Sequence, residues 1–185
     1  MKLILSCILT IFSLVNLTMA AKPEQAKVST ELTSVIKSLY DGNFEVLHKH
    51  THPNIILMVE GKENYHNLFK RIVAYFKQAG ISFESAKISE IKGYVANETT
   101  ECFYVDALLT LKSGERVEPT QTIQMGIKNL DAKDWAYVDL TDKTLAQIKA
   151  MIPNIPEKFV MPKQPKKEEP EEELASLAVH RFPMG

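Results

Sequence analysis

Cysteine is the first scarcity. The 185-residue chain holds two, and Cys7 lies inside an apolar leader, so the rest of the chain keeps only Cys102 and cannot close an internal disulfide. A chain of this size can rest on a hydrophobic core without such staples. Cys102 sits in an apolar strand pattern and reads as a core residue, because a nucleophilic thiol needs a base beside it. An excess of one charge is also missing: Lys and Arg number 22 against 23 Asp and Glu. That balance argues against nucleic acid as a partner, since such a partner calls for a strongly basic face. The 7 glycines never gather into a phosphate-cradling loop. Gly-x-Ser-x-Gly and Cys-x-x-Cys are absent as well, and no cofactor is expected. The longest apolar run, Leu3–Leu17, is short of the roughly 20 residues a membrane span needs.

That run is better explained as a secretory signal. Lys2 supplies the charged start, and Thr18-Met19-Ala20 supplies a small-residue exit with cleavage expected after Ala20. A lipidated Cys7 fits poorly, because it stands near the beginning of the apolar run rather than after it. The chain therefore divides into a signal peptide at 1–20, one domain at 21–161, and a Pro/Lys/Glu-rich tail at 162–185 that is expected to be disordered. Removing Lys2 with the leader leaves 21 basic against 23 acidic residues. The expected product is a secreted or periplasmic single domain with no stable membrane span. Asn97-Glu98-Thr99 fits the N-glycosylation pattern, which matters only in a eukaryotic secretory pathway.

Within the domain, Leu32, Val35, Ile36, Leu39 and Tyr40 follow helical spacing, with Ser29 as the expected N-cap and Asp41-Gly42 as the stop. A short helix with Phe44 and Leu47 should end before His52-Pro53. Ile55–Val59 is a brief apolar run expected to form a strand. Gly61 opens the strongest helix, whose stripe is Tyr65, Leu68, Phe69, Ile72, Val73 and Phe76. After Gly80 the period becomes 2. Ile81–Ile91 alternates with a slip between Phe83 and Ala86 that indicates a bulge. Thr99–Leu111 carries Phe103, Val105, Ala107, Leu109 and Leu111 on one face. Lys112–Glu115 is a hairpin turn. The return strand puts Val117, Gln121, Ile123, Met125 and Ile127 on one face, with Pro119 acceptable at an edge. Trp135–Leu140 is a final strand, and Asp142 caps a last helix with Leu145, Ile148, Met151 and Ile152. Helices first and antiparallel strands after them indicate an α+β fold.

The order and the segment "SLYDGNFEVLHKHTHPNIILMVEGKENYHNLFKRIV", together with "DWAYVDL", resemble the nuclear transport factor 2-like superfamily (the SnoaL-like cone) over residues 29–152. The proline-rich "MIPNIPEKFVMP" is similar to the exit of exported members. The resemblance implies helices packed in the concave face of a strongly bent antiparallel sheet, with a pocket at the open end of the cone. It also implies that the sheet is available for a homodimer. Members include adaptors, cyclases, isomerases, dehydratases and ligand binders, so the fold alone selects none of them.

The expected pocket lining is Phe69, Phe103, Val105, Gln121, Ile123, Trp135 and Tyr137. It lacks an evident acid–base pair, which points to a non-catalytic protein that binds a small apolar ligand or a protein partner. An isomerase- or cyclase-like enzyme is the alternative, with Asp139 and His66, or a tyrosine, as the candidate catalytic groups. Asp139 has a competing role in capping the turn that follows it, and His66 has one as an ordinary boundary residue. In His48-Lys49-His50-Thr51-His52, the spacing of His48 and His52 suits two zinc ligands on one helix face. No third ligand stands near them, so they are weak metal candidates.

Overall fold

A computed structural model describes residues 22–165. The expected leader and the tail beyond Pro165 lie outside them. Four helices come first: α1 (Gln25–Asp41), α2 (Phe44–Lys49), α3 (Pro53–Met58) and α4 (Lys62–Gln78). Five strands follow, β1 (Ile81–Ile88), β2 (Lys92–Ala96), β3 (Thr100–Ser113), β4 (Arg116–Asn129) and β5 (Ala136–Asp139), and α5 (Leu145–Met151) comes last. The fold is α+β with an antiparallel sheet that is not closed into a barrel. Among the described residues no helix is long and apolar enough to cross a membrane.

Helix α1 begins four residues before the expected Ser29 cap, because Gln25 is bonded into the sheet. Its Nε2 donates to Ser89 O at 2.9 Å and its Oε1 accepts from Ile91 N–H at 2.9 Å. Those two groups lie in the break between β1 and β2, so one side chain satisfies a donor and an acceptor that no strand reaches. The helix stops at Gly42, whose φ of 78° is left-handed and whose N–H returns to Ser38 O. The expected strand at Ile55–Val59 is instead helix α3. Pro53 presets its first turn, and the His52 ring caps it through Nδ1, which accepts from Asn54 N–H. The last helix is capped by Thr144 in a reciprocal capping box with Gln147, whereas Asp142 stands in a left-handed turn before it.

In the sheet, β3 pairs with β4 along its whole length, while β1 and then β2 share its other edge. The expected bulge is present as a register shift between Phe83 and Ser85. Strand β5 covers only Gln124–Ile127 of β4. Beyond β5, Ile123 O accepts from Leu140 N–H, so the odd-numbered residues of β4 turn their backbone groups toward that edge. Pro119 is one of them, and it removes a donor from the part of the edge where β5 provides no partner.

The pairs Val105↔Gln124, Ala107↔Thr122 and Asp106↔Ile123 decide which side chains share a face. The inner face carries Phe103, Val105, Ala107 and Leu109 with Trp135 and Tyr137, and α1 covers it with Val28, Leu32 and Ile36. Burying each of those three aliphatic side chains contributes about 1.5–3 kcal/mol. The outer face carries Cys102, Ile123, Met125, Ile127, Ala136, Val138 and Leu140, and Ile148, Ile152, Ile155 and Phe159 cover it. The chain beyond α5 is therefore part of the core. Packing continues past the expected boundary at 161: Gln164 accepts from Asp142 N–H at 3.0 Å and donates to Leu140 O at 3.3 Å.

Candidate functional site

The register divides the expected pocket. Phe103, Val105, Trp135 and Tyr137 do share the inner face, but they are buried beneath α1. Ile123 belongs to the opposite core, and Gln121, paired with Leu108, is exposed on that same outer side. The correction follows from parity: residues directly opposed in an antiparallel pair point the same way. Beside Val105 and Ala107 the inner residues of β4 are thus Gln124 and Thr122, whose side chains are bonded to each other at 3.2 Å. Phe69 packs on Tyr65 of its own helix, with ring centroids 4.6 Å apart.

The narrow end of the inner face is tied shut by a group that only the fold assembles. His50 is 6% exposed, and its Nδ1 lies 2.8 Å from Trp135 O and 3.2 Å from Glu31 Oε1. A carbonyl can only accept, so Nδ1 carries a proton and donates. Tyr137 N–H donates to His50 O at 2.9 Å. Burial first, and then the Glu31 carboxylate, push the Tyr137 phenol well above its ordinary pKa and keep it neutral. These contacts join α1, the α2–α3 turn and β5, which is a tether enclosed by packing.

Further along the same face the packing is looser. Tyr40 of α1 stacks on Phe76 of α4 at 4.8 Å and faces Phe83 of β1 at 6.0 Å. Phe83 lies opposite Leu111, and all four residues are half-buried. Asp139 pairs with Gln124, which places its carboxylate on this inner side although the residue is exposed. Burial first, and then the Asp139 charge, raise the pKa of the Tyr40 phenol. That influence acts through space rather than through a hydrogen bond. Asp139 Oδ1 accepts from Thr141 N–H at 2.7 Å, so its expected turn-capping role is present too. The wide end thus combines aromatic and aliphatic walls with a carboxylate, an amide and a neutral phenol.

The other candidates are elsewhere. His66 touches Phe44 at 4.2 Å and lines a cleft of about 530 Å³ between α2 and α4 with His48, Tyr65 and Lys62. Asp139 is not among the residues of that cleft. His52 caps α3 through Nδ1, and burial lowers its pKa. Among the described residues no group of three His, Cys, Asp or Glu is placed to hold a metal ion.

Sequence reasoning missed Glu31, His50 and Tyr40 as polar members of the inner face. The spacing showed the helix stripe but not its partners, which lie far along the chain: His50 meets Trp135, 85 positions on. The run of three histidines was the available signal for His50. Comparison with family models, with curated proteins and with solved structures gives no match for this chain.

Proposed function

We propose that this is an exported, non-catalytic binding protein of the nuclear transport factor 2-like type. It would hold a small, mainly apolar ligand at the wide end of the inner face, between α1, α4 and the sheet. The observation that carries this reading is the contrast along one face. The end that holds Trp135 is sealed by α1 and the His50 tether, while Tyr40, Phe76, Phe83 and Leu111 remain half-buried further along, with Asp139 near enough to Tyr40 for its charge to act on the phenol. Largely apolar walls with a few convergent polar groups are the usual composition of a ligand site. An accepting carboxylate and a donating phenol would orient a ligand carrying a hydroxyl, amine or carbonyl. Export rests on the Lys2-to-Ala20 pattern.

Nile red, a neutral apolar dye, tests the reading. It should bind saturably at one site and at least tenfold more weakly to Leu111→Arg, with the thermal midpoint little changed because Leu111 lies near a hairpin end. Equal binding by the variant would place the dye elsewhere and refute the site.

A second reading has one specific observation behind it: Asp139 and Tyr40 share the inner side, and the Asp139 charge helps to raise the Tyr40 phenol's pKa. That is the relation required of a carboxylate base and a neutral hydrogen-bond donor in proton abstraction next to a carbonyl. The tyrosine partner would be Tyr40, in place of His66. An activity abolished in Asp139→Asn while Nile red still binds would favour the enzyme; ligand release without turnover would favour the binder.

A further inference from the structure

The cleft of about 530 Å³ between α2 and α4 shares no residue with the inner-face site. Helix spacing builds it. On α2, Phe44 and His48 stand four positions apart and share one side; on α4, Lys62 and His66 do the same, with Tyr65 between them. Four of the six described lining residues therefore carry rings: Phe44, His48, Tyr65 and His66. The rings hold one another. His66 lies 4.2 Å from Phe44, and His48 meets Tyr65 edge-on at 6.3 Å. Tyr65 is buried, packs on Phe69 at 4.6 Å, and is bonded through its hydroxyl to Thr51. Thr51 gives its own proton to Leu47 O at 2.7 Å. Tyr65 is thus the donor to Thr51, and its one proton is already committed. Burial raises its pKa, which keeps that proton in place.

The two histidines are differently placed. Both are half-buried and face the cleft, and the ring nitrogens of neither have a hydrogen-bond partner among the described residues. A neutral imidazole presents one donor and one acceptor, so it can either give a hydrogen bond to a ligand hydroxyl or take one from it. The charged members of the lining, Glu45 and Lys62, are exposed and opposite in sign. Together they leave the cleft without net charge, which favours a neutral ligand over an anion or a cation. The ring walls favour an aromatic ligand, because stacked and edge-on ring contacts add to simple burial.

We infer that this cleft binds a small neutral hydroxyaromatic molecule, a phenol in chemical class, its ring laid among Phe44, Tyr65 and His66 and its hydroxyl bonded to an imidazole nitrogen of His48 or His66. A saturated alcohol loses the ring contacts, and an arene without a hydroxyl gains nothing from the imidazoles. The inference does not rest on the inner-face reading.

p-Cresol, toluene and 4-methylcyclohexanol, titrated separately into ¹⁵N-labelled protein, form the test. p-Cresol should shift the His48 and His66 ring nitrogens and the Phe44 amide saturably, and leave Leu111 and Val35 unchanged. Toluene, which has the ring without the hydroxyl, and 4-methylcyclohexanol, which has the hydroxyl without the aromatic ring, should each bind at least tenfold more weakly. His66→Phe keeps a ring and removes both nitrogens, so p-cresol should weaken at least fivefold while toluene stays within twofold. His48→Phe added to it should abolish the preference for p-cresol over toluene. Because that double variant alters two packed rings, Glu45→Trp serves as a further variant that fills the cleft from an exposed position and should exclude p-cresol. Equal binding of toluene would remove the hydroxyl recognition, and equal binding of 4-methylcyclohexanol would remove the ring recognition. Shifts centred on Leu111 and Val35 would assign p-cresol to the inner face. Each of these results overturns the site, as does the absence of any saturable shift.

Discussion

At the scale of single residues, the fold converts ordinary side chains into groups with altered proton affinity. Cys102 is fully buried, and that burial pushes its thiol up to about 12, so almost no thiolate exists at neutral pH. Iodoacetamide should leave Cys102 unmodified in the native protein and label it quickly in denaturant, as read by peptide mass spectrometry. Labelling at equal rates in both states would contradict the burial. The expectation of an inert core cysteine was readable in the sequence, because the apolar strand around it was. Tyr40 is a different case. Its helical position was legible but its polar neighbour was not, since Asp139 reaches it only through the sheet. Asp139→Asn should lower the Tyr40 pKa while leaving it above that of free tyrosine, because burial is the larger cause. The Tyr40 ring resonances followed against pH check both parts of that statement.

His52 adds a pH dependence of defined sign. Burial lowers its pKa in the folded state, whereas the unfolded chain titrates near the usual histidine value of about 6.5. Below that value the unfolded state takes up the proton first, so this contribution to stability is complete above about pH 6.5 and is lost as pH drops from there toward the folded pKa. Denaturant melts between pH 7.5 and 5.5 should show this slope, and it should be reduced in His52→Gln.

At the scale of elements, register decides the architecture. Phe103 lies directly across from Gly126, and a Cβ there would overlap the Phe103 ring. The glycine is required by that close approach rather than by its backbone angles. Gly126→Ala should cost about 1–3 kcal/mol by overpacking, measured by urea denaturation. Phe103→Leu in the same chain should recover part of the loss, because the two residues share one space. The alternation within β3 and within β4 was visible from sequence, and so was the bulge in β1. Which face of β4 meets which face of β3 was not. A shift of one position exchanges every side chain, and Lys112–Glu115 does not by itself fix the pairing. That is why Gln121 and Ile123 were expected beside Val105, where Gln124 stands instead. Helix α3 shows the other limit. Six residues, Pro53–Met58, are too few for periodicity to separate helix from strand, and a histidine cap is an uncommon signal.

At the scale of the whole molecule, two cores on opposite faces of one sheet divide the labour. The outer core uses the chain after α5 as its cover, including Ile155 and Phe159, and this packing is not legible in the sequence because the stretch has neither helical nor strand period. The inner core is fully buried at one end and half-buried at the other, and the proposed function depends on that asymmetry. Methyl chemical shifts measured during a Nile red titration test it most directly. Saturable shifts are expected at Leu111 and Val35, with Val105 and Leu32 unchanged under α1. Largest shifts at Val105, or at Ile123 and Leu108 on the outer face, would contradict it.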